Sequence, residues 1–263
     1  MIPIGDNVRS RGTPYVNIAL ITINVLVFLY QLTLSTTPTG PGFPGLSALD
    51  LFFFDWGSIP ACLTDRFASP SDLDPRVVAL VCPEDERLLA TPFTAMFIHG
   101  GWLHLIGNMI FLWVFGDNVE DAMGHVRYAV FYLIGGLAAT AAHVAVNQND
   151  VVPAVGASGA IAAVLGAYLV LYPRARISAI LPIFILFWLP FQVPAVLLIG
   201  FWFLLQLFSG LAALSAADVV GASGGVAWFA HIGGFVAGLL LVRIFVLGRP
   251  ARPRPLPPRP RSW

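Results

Sequence analysis

FIHGGWLHLIGNMIFLWVFG, residues 97–116, runs twenty residues without Asp, Glu, Lys or Arg. That is the length of helix needed to cross the hydrocarbon core of a bilayer, roughly 20 apolar residues. Strongly polar groups inside such a run are costly and mark functional candidates. Here they are His99, His104 and Asn108. His104 and Asn108 are four apart and share one face of a helix. His99 lies five before His104, near the outer end, and points elsewhere.

Five further stretches qualify or nearly qualify as spans, at about 15–33, 126–146, 155–172, 193–213 and 225–247. The composition agrees, with 57% hydrophobic residues and 11% charged, against roughly 25% charged in an ordinary soluble domain. This excludes a soluble enzyme with a solvated surface, and it excludes disorder. The 14 basic and 14 acidic residues cancel, and no basic stripe offers a nucleic-acid footprint. The expected architecture is all-α: a polytopic membrane bundle of six helices over residues 15–247. A short N-terminal segment, 1–14, precedes it. A Pro/Arg-rich tail, 248–263, follows and is expected to be disordered. The first span lacks a cationic n-region with a small-residue cleavage site, so it reads as an anchor. The stretch 177–191, ISAILPIFILFWLPF, is short and carries Pro182 and Pro190. It reads as interfacial or re-entrant, with a seventh helix the lesser alternative.

Every basic residue is an arginine, and 11 of the 14 fall on one side if the termini are cytoplasmic. The positive-inside rule therefore places both termini in the cytoplasm. The outer loop, about 35–95, holds the apolar run LDLFFFDW and then a group of acidic residues. It reads as a solvated loop with one buried patch, or with Leu51 to Trp56 at the membrane interface. Cys62 and Cys82 lie in this loop; a disulfide and two free thiols are both open readings. Two cysteines alone make a poor zinc site, and no metal or other cofactor is expected. The second span is not His-Glu-x-x-His and carries no acidic base, so a metalloprotease fits poorly.

The fourth span opens with Gly156-Ala157-Ser158-Gly159. Small residues there ease helix packing. A serine at a helix N-terminus also sits where free backbone N–H groups and the helix dipole would stabilise an oxyanion. The sixth span contains His231 with Gly234 and Gly238 on the same face. Those glycines allow a close neighbour, and His231 lies at about the depth expected for Ser158. A second copy, Gly221-Ala222-Ser223-Gly224, is a decoy. In a continuous helix Ser223 would stand about 12 Å from His231 along the axis, so a turn before the sixth span is the better reading. His143 reads as interfacial. Glu120, His125 and Arg127 lie around the inside turn and are expected to fix its shape.

The combination of these signals resembles the rhomboid family of intramembrane serine proteases. It comprises His-x-x-x-Asn on the second span, Gly-x-Ser-Gly opening the fourth, and Ala-His-x-x-Gly-x-x-x-Gly on the sixth. The resemblance covers roughly residues 15–247. It implies a six-helix fold with Ser158 as nucleophile and His231 as general base, without a third acid. His104 and Asn108 would be oxyanion donors, helped by the Ser158 backbone N–H. Gly156 would let its loop approach the scissile carbonyl. His99 matches a weaker position near the cavity mouth, for substrate binding. Trp202 and Phe203 on the fifth span correspond to a gate. Substrates would be transmembrane proteins, in what the family resemblance and short layout suggest is a prokaryotic plasma membrane. Two positions depart from the pattern: Ala90 and Thr91 stand where many members carry Trp-Arg, and Ala162 stands where an aromatic often follows the serine. The alternative reading is an inactive relative that binds transmembrane segments. A transporter is a distant third, because no charged residue lies mid-span.

Overall fold

Residues 159–168, GAIAAVLGAY, are apolar on every side, and all ten are buried. A helix hydrophobic all round belongs in the middle of a bundle, and this one is the hub of the fold. A computed structural model describes residues 1–8, 10–38, 45–67, 81–82, 85–184, 187–220 and 227–249. In chain order they form β1 (Ile2–Asp6), α1 (Tyr15–Gln31), α2 (Ala48–Trp56), α3 (Pro60–Phe67) and α4 (Asp85–Thr94). A 3-10 turn, Ala95–Phe97, leads to α5 (Trp102–Met123), α6 (His125–Val146) and the hub α7 (Ser158–Leu171). Then come β2 (Arg176–Phe184), β3 (Phe187–Pro194), α8 (Ala195–Val220) and α9 (Trp228–Phe245). The chain is mostly helical, as expected of the class, and each expected span has a helix at its position, with three strands beside them.

The helices do not all have spanning length. By length and composition α6, Ala195–Leu214 of α8, and α9 are long and apolar enough to cross a membrane. α5 joins them when taken with the preceding helix, from which it bends by 76°. α1 has 17 residues and α7 only 14. At 1.5 Å per residue α7 rises about 21 Å, against a hydrocarbon core of about 30 Å. Surrounded by protein, it need not reach both faces, and its N-terminus lies well inside the bundle.

In the stretch 177–191 the re-entrant and helical readings are corrected: the described residues form strands β2 and β3, paired antiparallel and extended by β1 into a sheet of order β1-β2-β3. Ile, Val, Phe and Trp favour the extended backbone. Pro190 lies on the edge strand β3, and Pro182 pairs with Trp188 beyond the reach of β1. Both prolines thus fall where a missing N–H is tolerated. The N-terminal segment is therefore structured: Ile2 pairs with Ile180 and Asp6 with Ile177.

Asp6 pins this sheet to the bundle. Its carboxylate accepts from the Val8 N–H (3.0 Å), from Asn118 Nδ2 (3.0 Å) and from the Tyr168 hydroxyl. Burial raises its pKa from 3.8 to about 6. The neutral form is favoured in the docked strand, so docking is strongest below about pH 4 and weakens as pH rises towards 6. The swing is at most about 3 kcal/mol. Hydrogen-exchange protection of the Ile2–Asp6 amides, corrected for intrinsic rate, should fall over that interval; flat protection would contradict the assignment.

At the same end, Glu120 is buried and caps α1 from outside. It accepts from the N–H groups of Val16 (3.0 Å) and Asn17 (2.7 Å) and contacts His125 Nδ1 (2.5 Å). The α1 N-cap is Pro14, which offers no side-chain cap, so a carboxylate from α5 supplies it. Arg127 donates to the carbonyls of Phe245 (3.3 Å) and Leu247 (2.7 Å) at the end of α9.

The outer loop is largely helical where described. Ser47 and Asp50 form a capping box for α2. No residue of α2 is fully buried. Ile59, Cys62, Leu63 and Leu88 form a second small core beside Val144. Cys62 and Cys82 are joined by a disulfide. Residues 221–226, which include Ser223, and the tail from 250 onward lie outside the described residues.

The hub and α9 meet backbone to backbone. A Cβ on Gly234 would overlap the Gly159 carbonyl oxygen, and one on Gly238 the Ala163 carbonyl oxygen. In return, a Cβ on Gly166 would overlap the Phe235 carbonyl oxygen. This contact sets the first turn of α7 against the first turn of α9.

Candidate active site

Ser158 is the first residue of α7, and His231 is the fourth residue of α9. Close packing of the two helices brings Ser158 Oγ to 2.8 Å from His231 Nε2. The residues are 73 apart in sequence, so it is the packing of the helices that makes the pair. His231 is 8% exposed. Its other ring nitrogen, Nδ1, is 2.7 Å from Gln206 Oε1 on α8. Trp202 and Trp228 flank the imidazole, with ring centroids 5.9 and 6.4 Å away. They supply the aromatic neighbour that position 162 lacks; Ala162 is buried in the core.

The N-cap of α7 is Ala157, which has no side-chain cap hydrogen bond. The first N–H groups of the helix thus escape side-chain capping at the point where Ser158 stands. Gly156 precedes them at φ +126°, a conformation that side chains rarely adopt. Its N–H donates to the Ala95 carbonyl at 2.8 Å. A Cβ there would come within 2.7 Å of His104 Nε2 and 3.7 Å of Asn108 Nδ2. His104 and Asn108 therefore reach the same loop from α5. The Gly100 N–H points at His104 Nδ1, 3.4 Å away, which puts the ring proton on Nε2, the atom facing Gly156. Asn108 is 8% exposed, and its Nδ2 has no hydrogen-bond partner among the described residues. A buried donor left unpaired costs about 1–3 kcal/mol, and functional sites are where such groups persist.

Ser158, His231, His104 and Asn108 line one cavity of about 740 Å³. His143 and Asp150 line it as well. It brings together a hydroxyl in contact with an imidazole and a set of N–H donors within mostly apolar walls, an arrangement able to support acyl transfer.

His99 does not join them. It is 1% exposed and absent from the cavity lining; its ring packs edge-on against His104 at 5.1 Å. Its backbone N–H donates to Gln31 Oε1 (3.1 Å), and its carbonyl accepts from Gln31 Nε2 (2.9 Å). It supports the wall behind His104. Arg87, the arginine nearest the position of the family's Trp-Arg pair, forms an ion pair with Asp55 at 3.3 Å, and Thr91 is buried. Phe203 stacks on Phe235 at 4.4 Å and does not line the cavity. Gln206 was passed over in the sequence, although an amide within the apolar stretch 193–213 carries the same signal that singled out Asn108.

Comparison with known proteins gives a consistent picture. A family model described as "Rhomboid domain" matches residues 87–248. "RHOMBOID-like protein 4" of Arabidopsis thaliana is 27% identical over 242 residues, covering 89% of this chain and 55% of the relative. "RHOMBOID-like protein 6, mitochondrial" of the same plant is 29% identical over 154 residues, covering 59% and 43%. "Rhomboid-like protease 5" of Toxoplasma gondii is 31% identical over 149 residues, covering 55% and 15%. The matches thus span about half or less of the length of these curated relatives.

Proposed function

The chain belongs to the rhomboid family, and on that premise we propose that it is an intramembrane serine endopeptidase that hydrolyses peptide bonds of transmembrane proteins. Membership fits an active protease or an inactive relative. The observation that carries the enzyme reading is the 2.8 Å contact of Ser158 Oγ with His231 Nε2 inside a cavity rich in donors. An inactive binder of transmembrane segments has no use for a paired nucleophile and base.

In this reading Ser158 Oγ attacks the scissile carbonyl while His231 Nε2 takes its proton. Negative charge on the carbonyl oxygen is met by His104 Nε2–H, Asn108 Nδ2 and the Ser158 backbone N–H. The C–N bond then breaks, and His231 returns the proton to the leaving amine. Water, deprotonated by His231, releases the acyl group from Ser158 and restores the serine. The short α7 suits this chemistry, because a helix starting below the outer surface leaves room for water. A transmembrane helix hides its peptide bonds in hydrogen bonds. Substrates with small or helix-breaking residues near their outer boundary are therefore favoured. Within the same proposal, the arginine distribution favours both termini on the cytoplasmic face of the membrane. The relatives compared above are eukaryotic.

Purified wild type and Ser158→Ala, incubated in detergent with such a single-span substrate, test the proposal. Cleavage by wild type alone is expected. Equal cleavage by both, or none by either, would overturn it. Gly156→Ala should lower turnover about 10²–10³-fold, the loss appropriate to one oxyanion donor, because its Cβ pushes on the His104 ring. The positive φ at Gly156 adds strain of about 1–3 kcal/mol in that variant, so kcat is compared at a temperature where both proteins are folded.

A further inference from the structure

The structure assigns Gln206 as the residue that positions His231. This rests on the protease reading for its kinetic consequence, though not for its geometry. Gln206 projects from α8 and is 7% exposed. Its Nε2 is directed at the Trp202 carbonyl one turn back, 3.4 Å away. That turns Oε1 towards His231 Nδ1, at 2.7 Å. An amide oxygen only accepts, so Nδ1 carries the ring proton. Nε2 is then a bare lone pair, and Ser158 Oγ–H donates to it across 2.8 Å. The chain of bonds runs from Ser158 through His231 to Gln206 and ends on backbone. The other neutral tautomer would set the Nδ1 lone pair against those of Gln206 Oε1 and put the proton on Nε2, leaving no acceptor on the ring for the serine proton.

A carboxylate in this place would also hold the tautomer, while drawing the imidazole towards its charged form. A neutral amide orients the ring and leaves it a free base. Gln206 does not line the cavity. It therefore acts on the reaction through His231 and not through substrate contact. The titratable groups facing His231 from other helices are His104 on α5 and His143 on α6. Asp150 lines the same cavity. All three are unchanged by substitution at position 206.

Gln206→Met keeps the side-chain shape and removes the acceptor; Gln206→Glu keeps the acceptor and adds charge. For Gln206→Met we expect kcat to fall roughly ten- to hundredfold with KM unchanged, the loss appropriate to one buried hydrogen bond. Gln206→Glu should recover much of that rate. Its acid limb should lie about one pH unit or more above wild type, because the carboxylate stabilises the imidazolium. Histidine-selective 15N NMR, assigned with His231→Ala, should find the neutral ring protonated on Nδ1 in wild type and a tautomer mixture in Gln206→Met. A wild-type ring protonated on Nε2, or equal loss and unshifted limbs in both variants, would overturn the assignment. If wild type neither cleaves nor reacts at Ser158, the protease reading fails, and the NMR result still decides the place of Gln206.

Discussion

His231→Ala should reduce cleavage at least about 10³-fold, and the double variant Ser158→Ala/His231→Ala should be no worse than either single change. Groups that act as a unit lose their whole contribution when one is removed, so their effects do not add. Ser158 and His231 share a hydrogen bond at 2.8 Å, and the proposed chemistry has no step in which one works without the other. The residual rate would come from the donors around Gly156 and from binding, which neither change removes. Rates for the four proteins on one single-span substrate, set out as a double-mutant cycle, measure the coupling. Multiplicative losses would mean that the two residues contribute independently, contrary to a nucleophile–base pair.

Gly238→Ala should destabilise the protein by up to about 2 kcal/mol and strongly reduce cleavage, although it touches no reacting group. Two effects compete. Alanine gains about 1 kcal/mol of helix propensity over glycine. Against this, its Cβ would overlap the Ala163 carbonyl oxygen. That neighbour is backbone and cannot turn aside, so α9 must move away from the hub, and overpacking of this kind costs about 1–3 kcal/mol or more. Packing wins, and the Ser158–His231 contact opens with it. Gly200 is the control. It lies on α8 with nothing within 4 Å of its would-be Cβ, so Gly200→Ala should be neutral or stabilising by up to about 1 kcal/mol. Thermal unfolding in detergent should show opposite signs for the two variants. A shared sign would mean that the glycine contact does not set the helix spacing.

Much of this architecture is legible in the chain because water-free surroundings simplify the code. Long apolar runs give helices, and most helices lie within a few residues of the expected spans, the second shifting from 96–116 to Trp102–Met123 and the fifth running on to Val220. Ser158, His231, His104 and Asn108 stand out because polar groups are rare in such runs. The same signal extends further than it was read. Asn17, Asn24 and Gln31 recur every seventh residue of α1, all buried. Asn17 Nδ2 donates to the Leu112 carbonyl (2.9 Å) and its Oδ1 accepts from the Tyr128 hydroxyl (2.8 Å). Gln31 holds the His99 backbone. Asn17 thus ties α1 to α5 and α6, Gln31 ties it to the loop before α5, and Asn24 donates within α1 to the Leu20 carbonyl; a period of seven was there to be seen.

The hairpin was not legible for a physical reason. An apolar run of eight or nine residues satisfies a buried helix and a strand equally, and what decides it is β1, some 170 residues earlier. The pairing of Cys62 with Cys82 likewise depends on a fold of the outer loop that spacing does not encode. The flanking of His231 by Trp202 and Trp228 shows a similar limit. The position four after the serine is alanine, yet the imidazole keeps aromatic neighbours, supplied from α8 and α9.

The central claim is that Ser158 is a nucleophile activated by His231. Treating the purified protein with a serine-reactive fluorophosphonate and locating the adduct by mass spectrometry addresses it directly. The expected result is a single adduct on Ser158 in wild type and little or none in His231→Ala. An adduct elsewhere, none at all, or equal labelling of Ser158 without His231 would contradict it.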